Sequence, residues 1–361
     1  MRTSLAMLVY NRPVHAGLSL GFALANKAEN TGLHVFYSIH RSTTPPSRSM
    51  DNLLRTLRDS GCIQFHYLHD DKPQSCGGNV DTLMTTMCSD ARYDCFMKID
   101  DDVLIGEGTD TLMANTLLDL EQHKVMFLMG QAVRHHMRMS RPFAWETTHN
   151  DLRIVQRARK ACPMETYTAV NPAVMKVLLA NSKSTLCEDN KGTFMPYTRK
   201  VTDCGYKSAL VLSPAITMQH IGLTSTIDSG ADRNWAPATS WDKSSDPIKV
   251  PHFDFEAWEK SHSDNTQKDF ALSTLVTLRD NVKDAQRANS IDHIIGVLKQ
   301  YTPGENDVPL PSAKASSPGN GGRLKVLRRD GTKRVTAQGT MARRGTAPKR
   351  RIVRKPRARV K

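Results

Sequence analysis

Cys95-Phe96-Met97-Lys98-Ile99-Asp100-Asp101-Asp102-Val103-Leu104-Ile105 is an apolar run that stops at three consecutive carboxylates, with a second apolar run directly after them. Residues 95–99 predict a strand that ends in the three aspartates. Three adjacent carboxylates repel one another, and a strand end is a poor place to keep that repulsion unless a cation offsets it. Hard oxygen ligands of this kind suit Mg²⁺ or Mn²⁺ that also bridges substrate phosphates. A lone D-x-D is a weak signal, and a solvated acidic turn is the competing reading.

Upstream, strands and helices alternate. Residues 5–9 form an apolar run, followed by Tyr10-Asn11-Arg12-Pro13 and then Val14, Leu18, Phe22 and Ala25 at helical spacing. This predicts a strand, a loop and a helix opened by proline. Residues 33–39 predict a second strand, Met50, Leu53, Leu54 and Leu57 a helix closed by Gly61, and residues 63–68 a third strand. A turn at Gly77-Gly78-Asn79 and a helix through Leu83, Met84 and Met87 then lead to the strand at 95–99. The alternation predicts an α/β fold, a mostly parallel sheet with helices on both faces and its site outside the carboxyl ends of the strands.

Charge divides the chain in two. Sixteen of the 50 Lys and Arg residues but one of the 36 acids lie in residues 321–361, which leaves 34 basic and 35 acidic residues in positions 1–320. The net charge of +14 therefore belongs to the end of the chain. Residues 309–322 are rich in Pro, Ser, Ala and Gly, as linkers are, and residues from about 301 onward are expected to be disordered. Just before them, Phe270, Leu272, Leu275, Val276 and Leu278, then Ile291, Ile294, Ile295, Val297 and Leu298, predict one or two amphipathic helices. The seven cysteines are scattered without a C-x-x-C pair, against both a disulfide framework and a zinc ribbon. No run of 18 apolar residues and no cleavage-like N-terminal segment occur, so a cytoplasmic protein without a membrane span is expected. If the chain is encoded by a phage, that cytoplasm is the host's.

Around the aspartates, the order of several pieces resembles the GT-A fold of nucleotide-sugar-dependent glycosyltransferases, family 2 above all. Lys98-Ile99-Asp100-Asp101-Asp102-Val103 is also similar to the aspartate motif of β-1,3-galactosyltransferases. The resemblance covers about residues 4–228. It implies that Tyr10, Asn11 and Arg12 form the first-strand loop that touches the nucleotide, with Asn79 opening the helix before the aspartate strand. Asp100 would meet the ribose, Asp101 would lie beside it, and Asp102 would coordinate metal. Glu188-Asp189 looks like the acceptor-side E-D motif, and Cys204-Gly205-Tyr206-Lys207 like the turn that follows it. Gln219-His220-Ile221-Gly222 resembles the final strand, whose histidine completes a metal site with Asp102 and Asp100. One departure stands out: the second strand ends Tyr37-Ser38-Ile39-His40-Arg41, without the aspartate that usually reads the nucleobase.

The resemblance therefore implies a GT-A catalytic domain over residues 1–228, a partly helical extension over 229–302, and a flexible linker with a disordered basic tail over 303–361. The implied activity is metal-dependent, inverting transfer of a sugar from a nucleotide sugar, a UDP-sugar foremost, to a hydroxyl, with Mn²⁺ or Mg²⁺ as cofactor. Asp189 would be the general base and Glu188 its neighbour, because transfer to a hydroxyl needs a carboxylate to take the proton. A detachable polycation fits a polyanionic acceptor, and DNA with a hydroxylated base, as some bacteriophages make, supplies both charge and hydroxyl. The competing readings are a nucleic-acid-binding protein with an inactive GT-A-like domain, and transfer to a lipid-linked or protein acceptor. His135-His136 reads as a polar loop, and the tryptophans at 235, 241 and 258 as packing of the extension.

Overall fold

The computed structural model describes residues 1–37, 47–68, 76–130, 143–157, 167–173, 175–176, 201, 203–212, 218–222, 250–261 and 263–303. They belong to the compact unit Met1–Ala313; a second unit, Lys314–Lys361, holds the basic tail and lies outside the described residues.

β1 (Thr3–Val9) is buried at all seven positions and lies between β2 (Thr31–Tyr37) and β4 (Cys95–Asp100), parallel to both. Apolar residues on both faces are what such a central strand requires. β3 (Gln64–Tyr67) adds a parallel edge beyond β2. On the other side comes the departure from a simple parallel sheet. β9 (Tyr167–Val170) inserts antiparallel between β4 and β6 (Val125–Met129), and β10 (Lys207–Leu212), β8 (Leu152–Arg157) and β7 (Phe143–His149) complete the nine strands. β10 runs parallel to β6, whereas β8 and β7 form an antiparallel hairpin at the far edge. Seven of the nine strands still point one way, so the α/β arrangement with a mostly parallel sheet expected from the sequence is present. Its strand ends bring together loops from distant parts of the chain.

Helices α1 (Pro13–Asn26), α2 (Arg48–Asp59), α3 (Cys76–Ser89) and α4 (Thr109–Asp119) connect these strands. Gly77 and Gly78, expected in a turn, lie in the first turn of α3. First-turn N–H groups have no partner within the helix, so the hydrogen-bond pattern tolerates glycine there. After these strands come α5 (Phe255–Lys260), α6 (Asp264–Asn281) and α7 (Ala285–Gln300), the last two lying where the sequence predicts one or two amphipathic helices. They pack on α1, which is thereby buried on both sides. The reason is visible at two glycines one helical turn apart: a Cβ on Gly17 would lie 2.9 Å from Leu298 Cδ1, and one on Gly21 2.4 Å from Leu275 Cδ2. Missing side chains let α6 and α7 approach the α1 backbone. Among the described residues, no helix is long and apolar enough to cross a membrane, and Cys62, Cys88, Cys95 and Cys204 are free thiols.

Candidate active site at the end of the aspartate strand

A small second sheet sets the site. β5 (Val103–Ile105) pairs antiparallel with β11 (Met218–His220), and the register puts His220 opposite Val103, the residue after Asp102. The Ile221 N–H then donates to the Asp102 carbonyl at 2.8 Å, which extends the pairing by one residue. His220 Nε2 stands 3.4 Å from Asp102 Oδ1, with both side chains largely buried. Two residues 118 positions apart thus meet because a three-residue strand selects the register.

The three carboxylates have separate surroundings. Asp100 accepts from Lys98 Nζ at 2.6 Å; the lysine is buried, while 21% of the aspartate side chain reaches solvent. Asp101 is fully buried and accepts from the Tyr10 N–H at 2.9 Å and from the Arg12 guanidinium, while its own carbonyl accepts from Ser19 Oγ at 2.9 Å. Asp102 receives Arg12 Nη1 at 3.0 Å on Oδ2 and turns Oδ1 to His220. The repulsion that the sequence alone assigned to a metal ion is therefore offset by the chain's own cations. Arg12 serves Asp101 and Asp102, and Lys98 serves Asp100. Three carboxylates against two cations leave one net negative charge when all are ionised.

Titration follows from this packing. Burial, reinforced by Asp102 and Asp101, raises the Asp100 carboxyl to about 7 against the pull of Lys98. Burial would also raise Asp102, but His220, Arg12 and His15 together hold it well below the usual carboxylate range. For His220 itself burial wins over Asp102 and lowers its pKa, with Arg12 acting in the same direction. These two directions compete, because a neutral imidazole cannot stabilise the carboxylate as a cation would. Arg12, permanently charged, is the partner that keeps Asp102 ionised. Burial would lower the Arg12 pKa, yet Asp101 and Asp102 raise it further above its ordinary value.

An ionised carboxylate and a neutral imidazole are the protonation states that metal ligation requires. Their 3.4 Å separation is close to that of two donors about 2.1 Å from one ion and roughly 90–110° apart. Asp102 and His220 therefore fit a divalent cation. Among the described residues no cluster of three or more His, Cys, Asp or Glu side chains could hold one, and substrate oxygens or water suit the remaining positions, as is usual for Mg²⁺ at phosphates.

The remaining expected site residues divide. Asn11 Oδ1 accepts from the Ser47 N–H at 2.8 Å and from Tyr37 Oη at 3.4 Å, which ties the first loop to the start of α2. Asn79 is fully buried, with neither its amide oxygen nor its nitrogen hydrogen-bonded. Glu188 and Asp189 lie outside the described residues, as do His135, His136, Trp235 and Trp241. Gly205, in the turn before β10, has φ +78°, which accounts for a glycine there.

Sequence reasoning missed four contributors. His15, in the first turn of α1, lies within electrostatic reach of Asp102, His220 and Arg12, and burial lowers it to about 3. Lys98 and Ser19 face inward from β4 and α1. Gly222 abuts the pair so closely that a Cβ would lie 2.4 Å from Asp102 Oδ2 and 2.8 Å from His220 Cε1. The glycine after the histidine was visible in the sequence; its contact with an aspartate 120 residues earlier was not.

No protein-family model matches the chain, and no curated protein matches it. Among solved structures it is similar to residues 1–349 of S. aureus TarS, at 13% identity and TM-score 0.42, over 83% of this chain and 91% of that one. The TarS 1–349 complex with UDP-GlcNAc gives 11% identity and TM-score 0.40 over the same shares. A UDP-glucose pyrophosphorylase complexed with UDP-glucose gives 8% identity and TM-score 0.36, over 58% of this chain and 90% of that one. Likeness at this level carries no argument about what the chain binds.

Proposed function

We infer that the chain transfers a sugar from a nucleotide sugar, a UDP-sugar foremost, to a hydroxyl acceptor, with the donor diphosphate at Asp102 and His220. The observation that carries this reading is the pair itself: a largely buried carboxylate and imidazole, Asp102 Oδ1 and His220 Nε2, 3.4 Å apart at the end of the aspartate strand. A divalent cation held there would offset the charge that develops on the departing diphosphate.

The chain's own residues supply the rest. Asp100, partly open to solvent and braced by Lys98, can accept hydrogen bonds from the ribose hydroxyls. Arg12 holds Asp102 in place and keeps it ionised. Asn79 has an unsatisfied amide in a buried position, which favours a polar partner. Asp189, with Glu188 beside it, takes the proton of the acceptor hydroxyl as its oxygen bonds to the anomeric carbon and the bond to the diphosphate breaks. Attack opposite the leaving group inverts that carbon.

For the acceptor, the polycation at 321–361 favours a polyanion, and a hydroxylated base in DNA supplies the nucleophile. On this reading residues 1–228 are the catalytic domain, 229–302 its extension and 303–361 the DNA-engaging tail of a phage-type cytoplasmic enzyme. The test is turnover of a panel of nucleotide sugars by the full chain and by Asp102→Ala, with Mn²⁺ or with chelator. Metal-stimulated sugar release that Asp102→Ala lacks supports the assignment; turnover indifferent to both metal and substitution overturns it.

A further inference from the structure

Trp258 is fully buried, yet it comes from α5 in the extension. Its ring packs against Phe253 and Phe270, at centroid distances of 6.1 and 5.6 Å, and edge-on to His15 at 5.3 Å and 81°. A buried indole N–H needs an acceptor. The one it takes is the carbonyl of Ile221, at 2.8 Å and 37 residues away, rather than a group of its own helices.

Ile221 lies between His220 and Gly222, and its N–H is already bonded to the Asp102 carbonyl. The 220–222 segment is thus held from two sides, by the main chain of the aspartate turn on one and by an indole from the extension on the other. Between these fixed points His220 faces Asp102 Oδ1 and Gly222 abuts Asp102 Oδ2. The His220–Ile221 peptide is held by Gln219 Nε2 on the His220 carbonyl and by the Asp102 carbonyl on the Ile221 N–H, so release of the Ile221 carbonyl frees the next peptide, the one that presses Gly222 against Asp102 Oδ2 and the edge of the imidazole.

We propose that Trp258 is a positioning residue: its indole N–H sets the His220 ring against Asp102, so that the extension is a working part of the site. The consequence for cation binding rests on the assignment of Asp102 and His220 above; the effect on the His220 ring does not.

The test uses the full chain as wild type, as Trp258→Phe, and with an isosteric tryptophan analogue in which sulfur replaces the ring NH, which keeps the packing if the phenylalanine variant fails to fold. Phe270→Leu is the control, since it loosens the same aromatic cluster and keeps the indole N–H that donates to Ile221. Three quantities are measured: the thermal midpoint, Mn²⁺ affinity by electron paramagnetic resonance, and the His220 ring resonances by NMR without metal. Loss of a group that orients a ligand from outside the coordination sphere weakens metal binding by 10-fold or more, so both Trp258 replacements should bind Mn²⁺ about tenfold more weakly while Phe270→Leu stays within about twofold of wild type. The His220 resonances should shift or broaden in the Trp258 replacements alone.

Wild-type Mn²⁺ affinity in both Trp258 replacements, or an equal loss in Phe270→Leu, would reduce Trp258 to packing and overturn the proposal. If wild type itself binds no Mn²⁺, the metal assignment fails and the His220 resonances decide. A change confined to the Trp258 replacements supports positioning; unchanged resonances refute it.

Discussion

Arg12 carries the charge that lets Asp101 and Asp102 lie side by side, and its loss would leave a fully buried Asp101 with only the Tyr10 amide on its carboxylate. Removal of one partner of a buried ion pair costs about 3–5 kcal/mol. Arg12→Ala is therefore expected to lower denaturant stability by that order, with partial recovery when Asp101→Asn is added; a loss below about 1 kcal/mol, the scale of a surface pair, would contradict the assignment. Gly222 makes a different prediction at the same scale. A methyl there must displace the Asp102 carboxylate or the His220 ring. Gly222→Ala should weaken Mn²⁺ binding about tenfold, as loss of ligand orientation does, at a stability cost of about 1–3 kcal/mol, the range for overpacking. Calorimetry of both quantities checks it, and unchanged Mn²⁺ affinity would show that the pair tolerates displacement.

Strands β2 and β3 carry an imidazole pair away from the site. His34 Nδ1 meets His66 Nε2 at 3.0 Å, and His34 Nε2 meets Tyr93 Oη at 3.1 Å. Burial first, then His66 and Arg92, lower His34 from 6.5 to about 4, while Asp90 opposes them. The folded state consequently binds fewer protons than the unfolded chain between about pH 4 and 6.5. The His34 contribution is complete above pH 6.5 and lost as pH falls toward 4. Thermal midpoints over that window should fall less steeply in His34→Gln than in wild type, although His15 and His220 titrate in the same sense and keep some slope. Identical slopes would contradict it. Elements such as β1, α1, β4 and the α6–α7 pair were legible because burial on one or both faces leaves a periodic trace along the chain. The insertion of β9 between β4 and β6 was not, since four buried residues can pair with any strand of matching length and nothing local names the partner. The site divides in the same way. Asp102 and His220 could be picked out from ordered motifs, whereas Arg12 as counter-ion and Trp258 as donor to Ile221 depend on contacts 89 or 90 and 37 positions apart.

For the whole molecule, charge and site are carried by different parts of the chain. Each Lys or Arg that neutralises a DNA phosphate contributes about −0.9 to the log–log slope of affinity against salt, so eight of the tail's 16 basic residues would give a slope of roughly −7. Deletion of residues 321–361 should abolish most of that slope and most transfer to long DNA at physiological salt, while metal-stimulated donor hydrolysis persists; an unchanged slope would remove the tail, and with it the case for a DNA acceptor. The more basic question is whether Asp102 and His220 hold a cation that receives a diphosphate. Titration calorimetry with UDP, in Mn²⁺ and in chelator, on wild type and His220→Ala, addresses it without knowledge of sugar or acceptor. The expected result is UDP binding at least about tenfold tighter with Mn²⁺ in wild type, with that gain lost in His220→Ala. Equal affinity with and without Mn²⁺ in wild type, or a gain that survives His220→Ala, would contradict it.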